Sequence, residues 1–364
     1  MEVVQEKKLQ PIQIAILIYM VEVGIFLFNI PRLIAQIHGT NGWLSLFGYT
    51  LLASFNIWLI YMVFKLGNGK SILLILNQSF SSWIMKPLYL LFALFWGLLA
   101  CLIIKQYIFI VQVIAFPTTP TYYILIIILI TVFFITINGI FNIVKTTTIF
   151  FFLSIWVSFV GLYYFLKIEW GDFTTFLFKA NERQFKDSVE IYGGFVGYEL
   201  SLFLFPFVKK GNSFLKALLA GNLYTTFIYL YTSIICFGFF SFGQLQHLLY
   251  PTLQLYSYLE FPFLVRIENL IFSVFLFKVI VTSVLYYWAG TQLVQEVLPR
   301  VKEKWLTFFI IFISFFIALG AYNSIEVASW LKIVVVIEIG VAFILPILLI
   351  ILLKRQARNH AYEN

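Results

Sequence analysis

The sequence predicts an all-α integral membrane protein with about ten transmembrane helices, arranged as two inverted sets of five whose first helices are broken. Two observations support this prediction. The 364-residue chain is 62% hydrophobic and 11% charged, with a mean hydropathy of +0.97, so it cannot leave its apolar surface in water. In addition, two of its apolar runs carry Gly and Pro interruptions at matching places. We therefore expect one transmembrane domain over residues 1–364.

Ten apolar runs come close to the roughly 20 residues that a helix needs to cross about 30 Å of hydrocarbon. The predicted spans cover residues 12–37, 43–64, 84–114, 122–138, 147–168, 189–208, 213–240, 264–290, 305–322 and 329–353. The third run exceeds one span, so we expect it to be tilted or to extend beyond the membrane.

Lys and Arg residues are concentrated in the loops and terminal segments predicted to lie on the same side of the membrane as the N-terminus, including Lys209-Lys210 and Lys354-Arg355. Cytoplasmic loops carry such an excess, so both termini are predicted to be cytoplasmic. The net charge of +8 is explained by this topology and by attraction to anionic lipid in the bilayer. Because the basic residues do not cluster with stacking aromatic residues, no nucleic-acid partner is expected.

Ten spans divide into two sets of five, a first repeat over about 12–168 and a second over about 189–353. Because five is odd, the second set enters the membrane from the opposite side, which makes the repeat inverted. The first span of each set carries the Gly and Pro interruption. This pattern is typical of inverted-repeat transporters whose binding site lies near the membrane midplane.

The two interruptions are Glu22-Val23-Gly24 with Asn29-Ile30-Pro31, and the segment from Gly193 to Glu199 with Pro206. A break frees backbone N–H and C=O groups at membrane depth, which is tolerated where the backbone is buried or lines a cavity. The half-helix after Gly24 would attract a carboxylate, and the half-helix ending near Phe195 an ammonium group. A zwitterionic amino acid satisfies both. The alternative is that these glycines only permit close helix packing.

The predicted ligand-binding residues lie at the two breaks and are Glu22, Gly24, Ile25, Asn29, Phe195, Gly197, Tyr198 and Glu199. The glycines allow close backbone approach, and Tyr198 and Asn29 offer side-chain hydrogen bonds. An ionised Glu22 would repel a carboxylate, and would favour a neutral or cationic ligand unless a counter-charge is present.

Six sequence features follow one another along nearly the whole chain: Gly24 to Pro31; Asn41-Gly42-Trp43; Pro117-Thr118-Thr119-Pro120; Gly197-Tyr198-Glu199 with Leu204-Phe205-Pro206; Phe242-Gly243 with Tyr250-Pro251-Thr252; and Arg266-Ile267-Glu268. With these features the chain resembles the B subunit, or permease-like subunit, of bacterial spore germinant receptors, in the amino acid/polyamine/organocation transporter superfamily. The resemblance implies a LeuT-type fold in the spore inner membrane. It also implies a small nutrient ligand and two partners, a large A subunit and a lipoprotein C subunit.

Lys278 lies near the centre of the eighth span, with Thr282 and Ser283 one turn on. In LeuT-like folds the first and eighth spans meet beside the substrate, so the resemblance implies that this ammonium group could stand in for a coupling sodium ion. A plain buried ion pair is the alternative, since an unpaired charge is costly at that depth. The acids available for pairing are Glu22, Glu199 and Glu338.

Four functions remain to be compared. The resemblance favours a nutrient sensor over a sodium-independent, proton-coupled amino acid permease, although both would have the same midplane site. A structural scaffold that binds nothing also stays open. An enzyme would need a nucleophile with a base or a metal cluster, whereas His38, His247 and His360 fall in separate loops or the tail. We therefore expect no enzyme activity, no metal and no cofactor, and a cap over the site formed by residues 241–266.

Overall fold

The computed structural model describes residues 8–114, 117–168, 171, 173, 175–258 and 267–362. These residues form a helical bundle, with no β-strand among them beyond one isolated bridge between Leu9 and Val208. The α-helices are α1 (Pro11–Glu22), α2 (Ile30–His38), α3 (Ser45–Leu66), α4 (Ile72–Ser79), α5 (Ser82–Ile114), α6 (Thr121–Thr136), α7 (Gly139–Ser154), α8 (Val157–Val160), α9 (Leu162–Phe165), α10 (Ser188–Tyr192), α11 (Ser213–Phe239), α12 (Phe242–His247), α13 (Pro251–Ser257), α14 (Ile267–Val297), α15 (Glu303–Leu319) and α16 (Ser324–Tyr362).

Each predicted span corresponds to helical structure. Within the described ranges, six helices are long and apolar enough to cross a membrane, over Gly42–Leu66, Ser82–Gln112, Gly139–Phe165, Ser213–Phe239, Asn269–Val297 and Ser324–Arg358. Span 5 begins at Gly139 rather than at 147, because the helix resumes directly after a turn at Asn138. The predicted start of span 8, at 264, lies outside the described residues.

Span 1 is broken, as predicted. Helix α1 ends at Glu22, a short 3-10 helix runs over Ile25–Phe28, and α2 begins at Ile30. Pro31 lies in the first turn of α2, where the missing N–H of proline costs no intrahelical hydrogen bond. The interruption is therefore a change of helix between Glu22 and Ile30, not a kink in a continuous helix.

Span 6 is broken at the corresponding place. Helix α10 gives way to 3-10 turns over Gly193–Phe195 and Tyr198–Phe207, with Gly197 between them at φ +128°. L-residues with a side chain rarely adopt this φ. A Cβ atom on Gly197 would also lie 2.5 Å from Cγ1 of Val21. Gly197 is therefore required both by the backbone turn and by the close contact with span 1.

The unbroken helices surround the two broken ones. Helix α1 packs against α11, and α14 packs along α5. Gly221 of α11 permits the first contact, since a Cβ there would lie 2.7 Å from the Ala15 carbonyl oxygen. Small residues at such crossings let membrane helices approach closely. The surrounding helices thus hold the two breaks against each other.

Candidate functional site

The two breaks meet through Tyr229 of α11. Its hydroxyl oxygen lies 3.0 Å from the Glu22 carbonyl oxygen and 2.7 Å from the Gly194 carbonyl oxygen. Both carbonyl groups lie where their helices are interrupted and lack a regular helical partner. The single hydroxyl group therefore joins the two breaks, which face each other as the sequence predicts.

A central cavity of about 40 Å³ lies beside the breaks. Its wall consists of Val21, Glu22, Gly24, Ile25, Phe26, Leu99, Ile103, Gly193, Val196, Thr282, Tyr286 and Val335. A Cβ atom on Gly24 would meet nothing within 4 Å, so the absence of a side chain there keeps the space open. One water molecule needs roughly 10–15 Å³, so the central cavity has room for a small polar group.

Glu22 contributes a buried carboxyl group to this wall. Its side chain is 2% exposed, and neither carboxyl oxygen has a hydrogen-bond partner among the described residues. The Thr225 hydroxyl group lies beside it, but donates to the Gly221 carbonyl at 3.2 Å. Buried polar groups are normally hydrogen-bonded, because leaving them unpaired is costly. Glu22 is therefore available to a donor or cation in the central cavity.

A larger vestibule of about 380 Å³ adjoins the central cavity and shares Ile25, Phe26 and Val335 with it. Asn29 and Arg32 of span 1 also line it. Asn29 Oδ1 and Arg32 Nε are buried and have no hydrogen-bond partner within the described part of the chain. Polar groups of span 1 thus continue from the central cavity into the vestibule.

The vestibule opens on the side of the bundle opposite the chain termini. Ser324, the first residue of α16, lines it, whereas Gln356 near the other end of α16 donates to the Ile75 carbonyl. On that terminal side, the Leu9 N–H group donates to the Phe207 carbonyl at 2.8 Å, and Lys8 Nζ donates to the Pro206 carbonyl at 2.9 Å. The N-terminal segment is thereby tied to the end of span 6.

Glu190 joins three segments at the vestibule wall. Its carboxylate accepts hydrogen bonds from Arg183 at 3.0 and 2.6 Å, and it lies 2.5 Å from Lys332 Nζ. Hydrogen bonding to Glu190 raises the pKa of Arg183. These pairs link the start of span 6 to α16 and to the preceding linker. The Glu190 carboxylate is thus occupied by protein cations.

The residues predicted at the break in span 6 are placed differently from those in span 1. Glu199 Oε2 accepts from the Gly197 N–H group at 2.7 Å, and Oε1 accepts from the Tyr286 hydroxyl at 2.9 Å. The Tyr198 hydroxyl bonds to Tyr192 at 2.7 Å. Phe195, Gly197, Tyr198 and Glu199 are absent from the walls of both cavities. By contrast, Glu22, Gly24, Ile25 and Asn29 all line one or both of them.

Lys278 does not pair with an acid among the described residues, which corrects the expected ion pair. Its ammonium group donates to the Tyr19 hydroxyl at 2.9 Å and lies 4.5 Å from the centroid of the same ring. An aromatic face stabilises a desolvated cation, so Tyr19 replaces the expected carboxylate. The physical reason is that Tyr19, and not Glu22, meets Lys278 across the contact between α1 and α14.

Thr282 and Ser283, which were predicted together, contact different helices. The Thr282 hydroxyl oxygen lies 3.1 Å from the Val21 carbonyl oxygen and 3.0 Å from the Lys278 carbonyl oxygen of its own helix, so it contacts span 1 as expected. Ser283 instead donates to the Ala100 carbonyl of α5 at 3.2 Å, which places it away from span 1. Adjacent helical residues point in directions about 100° apart, which explains this difference.

Glu338 of α16 belongs to a second buried polar cluster. Its Oε2 accepts from Trp96 Nε1 at 2.9 Å, and its carboxyl group lies close to that of Glu199. Because Glu199 also bonds to Tyr286, the cluster joins span 6 to α5, α14 and α16. It lies behind the wall of the central cavity, with Tyr286 between them.

Comparison with known proteins fits this arrangement. A family model described as "Spore germination protein" matches residues 8–327. The chain belongs to this family. It is 28% identical over 321 residues to the Bacillus cereus spore germination protein GerQB, covering 86% of this chain and 87% of that protein. It is 23% identical over 173 residues to B. cereus GerLB, covering 46% of each chain.

Solved transporter structures share the fold of this spore germination protein. The nucleobase-cation-symport-1 transporter MHP1, in a closed conformation with bromovinylhydantoin bound, superposes with a TM-score of 0.67 at 11% identity, covering 90% of this chain and 75% of that one. A manganese transporter from Eremococcus coleocola gives a TM-score of 0.59 at 15% identity, covering 93% and 78%. The predicted membrane-transporter fold of LeuT type is thereby confirmed.

Sequence reasoning missed three residues of the site in this family member: Tyr229, Tyr286 and Arg32. The two tyrosines lie in long apolar spans, where nothing in the sequence separates them from the chain's other aromatic residues. Arg32 could have been found, because a charged residue within a span is by default a candidate functional residue. Of the predicted cap, α12 and α13 are present and Tyr250 lines the vestibule, whereas residues 259–266 lie outside the described ranges.

Proposed function

We propose that this protein is the transporter-like, ligand-sensing B subunit of a spore germinant receptor. It binds a small nutrient, with an amino acid favoured, between the two helix breaks, and it passes the signal to A and C partner subunits in the spore inner membrane. The observation that carries the proposal is the vestibule leading to a central cavity that contains the Glu22 carboxyl group, which has no hydrogen-bond partner in the described part of the chain. A scaffold that binds nothing would have no need of such an uncompensated group.

With both termini in the cytoplasm, the vestibule opens on the opposite side of the membrane. External nutrients arrive on that side. The bonds between the N-terminal segment and the end of span 6 support a state that is held together on the cytoplasmic side. A ligand that binds this state better than the alternatives shifts the population toward it. In this proposal the population shift is the signal.

Amino acid permease activity is the second candidate. It is favoured by the contact of the Thr282 hydroxyl with the Val21 carbonyl oxygen at 3.1 Å, which in this proposal takes the place of a coupling sodium ion between spans 1 and 8. Transport would then be independent of sodium.

The test is a thermal-shift screen of purified protein in nanodiscs with the standard amino acids, followed by calorimetry and by uptake into proteoliposomes. Gly24→Val places a side chain in the central cavity, where a Cβ atom meets no described atom within 4 Å, and should abolish binding with little change in stability. Gly48→Val is the matched control, because a Cβ atom there also meets no described atom within 4 Å and Gly48 lines neither cavity.

Saturable binding that is lost in Gly24→Val and kept in Gly48→Val supports the site, and uptake of the bound ligand separates permease from sensor. Equal binding by both variants contradicts the site. If no amino acid binds, sugars and nucleosides form the next panel. Failure of every class contradicts ligand sensing by this subunit.

A further inference from the structure

We infer that the Glu22 carboxylate receives the ammonium group of the ligand, and that the remainder of the ligand extends toward the vestibule. This inference rests on the proposed function and specifies the chemistry of the same site. It reverses the simplest expectation for the break, in which the half-helix after Gly24 holds the ligand's carboxylate.

The first reason is that Glu22 lacks a protein counter-charge among the described residues. The buried lysines have other partners: Lys278 donates to Tyr19, and Lys105 donates to the Ala318 and Ala321 carbonyls. Lys332 pairs with Glu190 at the vestibule wall. A buried carboxylate needs a cation or strong donors, so a cationic ligand group supplies what the protein does not.

The second reason is that the backbone carbonyls at the breaks are already used. The Tyr229 hydroxyl group lies within hydrogen-bonding distance of both the Glu22 and the Gly194 carbonyl oxygens. The Glu22 carbonyl also accepts from the Gly24 N–H group at 2.9 Å. Each of these carbonyls already lies beside a protein donor, whereas both carboxyl oxygens of Glu22 have no hydrogen-bond partner among the described residues.

The third reason is the distribution of charge along span 1. A ligand carboxylate beside Glu22 would be repelled in a low-dielectric environment. Arg32, ten residues further on, lines the vestibule with its Nε atom buried and without a partner in the described ranges. An anionic ligand group is thus repelled from the central cavity and attracted toward the vestibule.

The experiment compares three probes on the same purified protein: free amino acids, their methyl esters and their N-acetyl derivatives. The esters keep the ammonium group and lose the carboxylate, and the N-acetyl derivatives do the reverse. We expect the esters and free amino acids to bind and the N-acetyl derivatives to bind at least about tenfold more weakly, since hydrogen bonds between charged groups are among the strongest in proteins.

Glu22→Gln should weaken ester binding by about 10- to 100-fold. Glu338→Gln is the matched control, because it also neutralises a buried acid but lies outside the cavity walls, so it should bind the esters normally. If Glu22→Gln does not yield folded protein, Glu22→Asp replaces it. That variant keeps the charge and should retain the preference for esters over N-acetyl derivatives.

Unchanged ester binding by Glu22→Gln, or N-acetyl derivatives that bind as tightly as the esters, overturns the inference. A neutral nutrient that binds the parent protein and Glu22→Gln equally, but not Gly24→Val, also overturns it, while leaving the proposed function intact. Absence of binding by every ligand class contradicts the proposed function itself. If Glu22→Asp binds N-acetyl derivatives as tightly as it binds esters, the inference is also overturned.

Discussion

The breaks in spans 1 and 6 have similar sequences but different surroundings. At the break in span 1, a Cβ on Gly24 would meet nothing within 4 Å, and the Glu22 carboxyl group has no partner within the described residues. At the break in span 6, a Cβ on Gly197 would clash with Val21 at 2.5 Å, and both Glu199 oxygens accept hydrogen bonds. The first break is open and its carboxyl group lacks a partner there, whereas the second is packed and its carboxyl group is hydrogen-bonded.

This difference indicates a division of roles. Groups that are already paired contribute to stability and position, whereas an unpaired buried group retains interactions for a ligand. The break in span 6 therefore supports the site, and the break in span 1 supplies most of its contacts. Mutations should separate the two: changes in span 6 should alter stability, and changes in span 1 should alter binding.

The largest expected effect is that of Gly197→Ala. The left-handed conformation costs an L-residue about 1–2 kcal/mol, and overpacking against Val21 costs about 1–3 kcal/mol more. We expect the free energy of unfolding to fall by about 2–5 kcal/mol, measured by thermal unfolding in nanodiscs.

Gly211→Ala is the matched control. Gly211 has a similar φ of +131°, but a Cβ there would meet nothing within 4 Å. Gly211→Ala should therefore lower the free energy of unfolding only by the cost of the backbone conformation, about 1–2 kcal/mol. Equal melting temperatures for the two variants would show that the contact between Gly197 and Val21 contributes nothing to the free energy of unfolding.

The next largest effect is that of Tyr229→Phe, which removes the hydroxyl group shared by the two breaks. The Gly194 carbonyl is left without this donor, and an unsatisfied buried carbonyl costs about 1–3 kcal/mol. Tyr231→Phe is the control two residues away, because the Tyr231 hydroxyl is buried and has no partner in the described ranges. If both variants unfold at the same temperature, Tyr229 does not hold the breaks together.

The spans and both breaks could be predicted from sequence, because hydropathy and the positions of Gly and Pro directly constrain helices in a bilayer. The partner of Lys278 could not. Tyr19 and Glu22 are three residues apart and point about 60° apart around α1, so the rotation of α1 decides which one Lys278 meets. Helix rotation is set by packing against neighbouring helices, and apolar runs without a polar face do not encode it.

The predicted ligand-binding residues stay a prediction, and the sequence does not distinguish the two breaks that contain them. Both breaks contain Gly beside an acid, so composition alone treats Glu22 and Glu199 as equivalent. Only the folded bundle places Tyr286 against Glu199 and leaves the Glu22 carboxyl oxygens without a hydrogen-bond donor among the residues that the structure describes. The proposed boundaries of the two repeats, 12–168 and 189–353, stay a prediction.

The smallest expected effect is that of Glu199→Gln, and it tests the comparison most directly. The sequence alone suggests that this acid contacts an ammonium group of the ligand. In the structure, Glu199 accepts from the Gly197 N–H and Tyr286 hydroxyl groups, so an amide in its place must turn its NH₂ group toward one of these donors. We expect a loss of about 1 kcal/mol in stability, the contribution of a typical hydrogen bond. Ligand affinity measured by calorimetry should stay within about twofold, because the two acceptor oxygens are already engaged in the protein. A loss of affinity as large as that of Glu22→Gln would mean that the two acids act on the ligand together, and that the packed break is part of the binding surface.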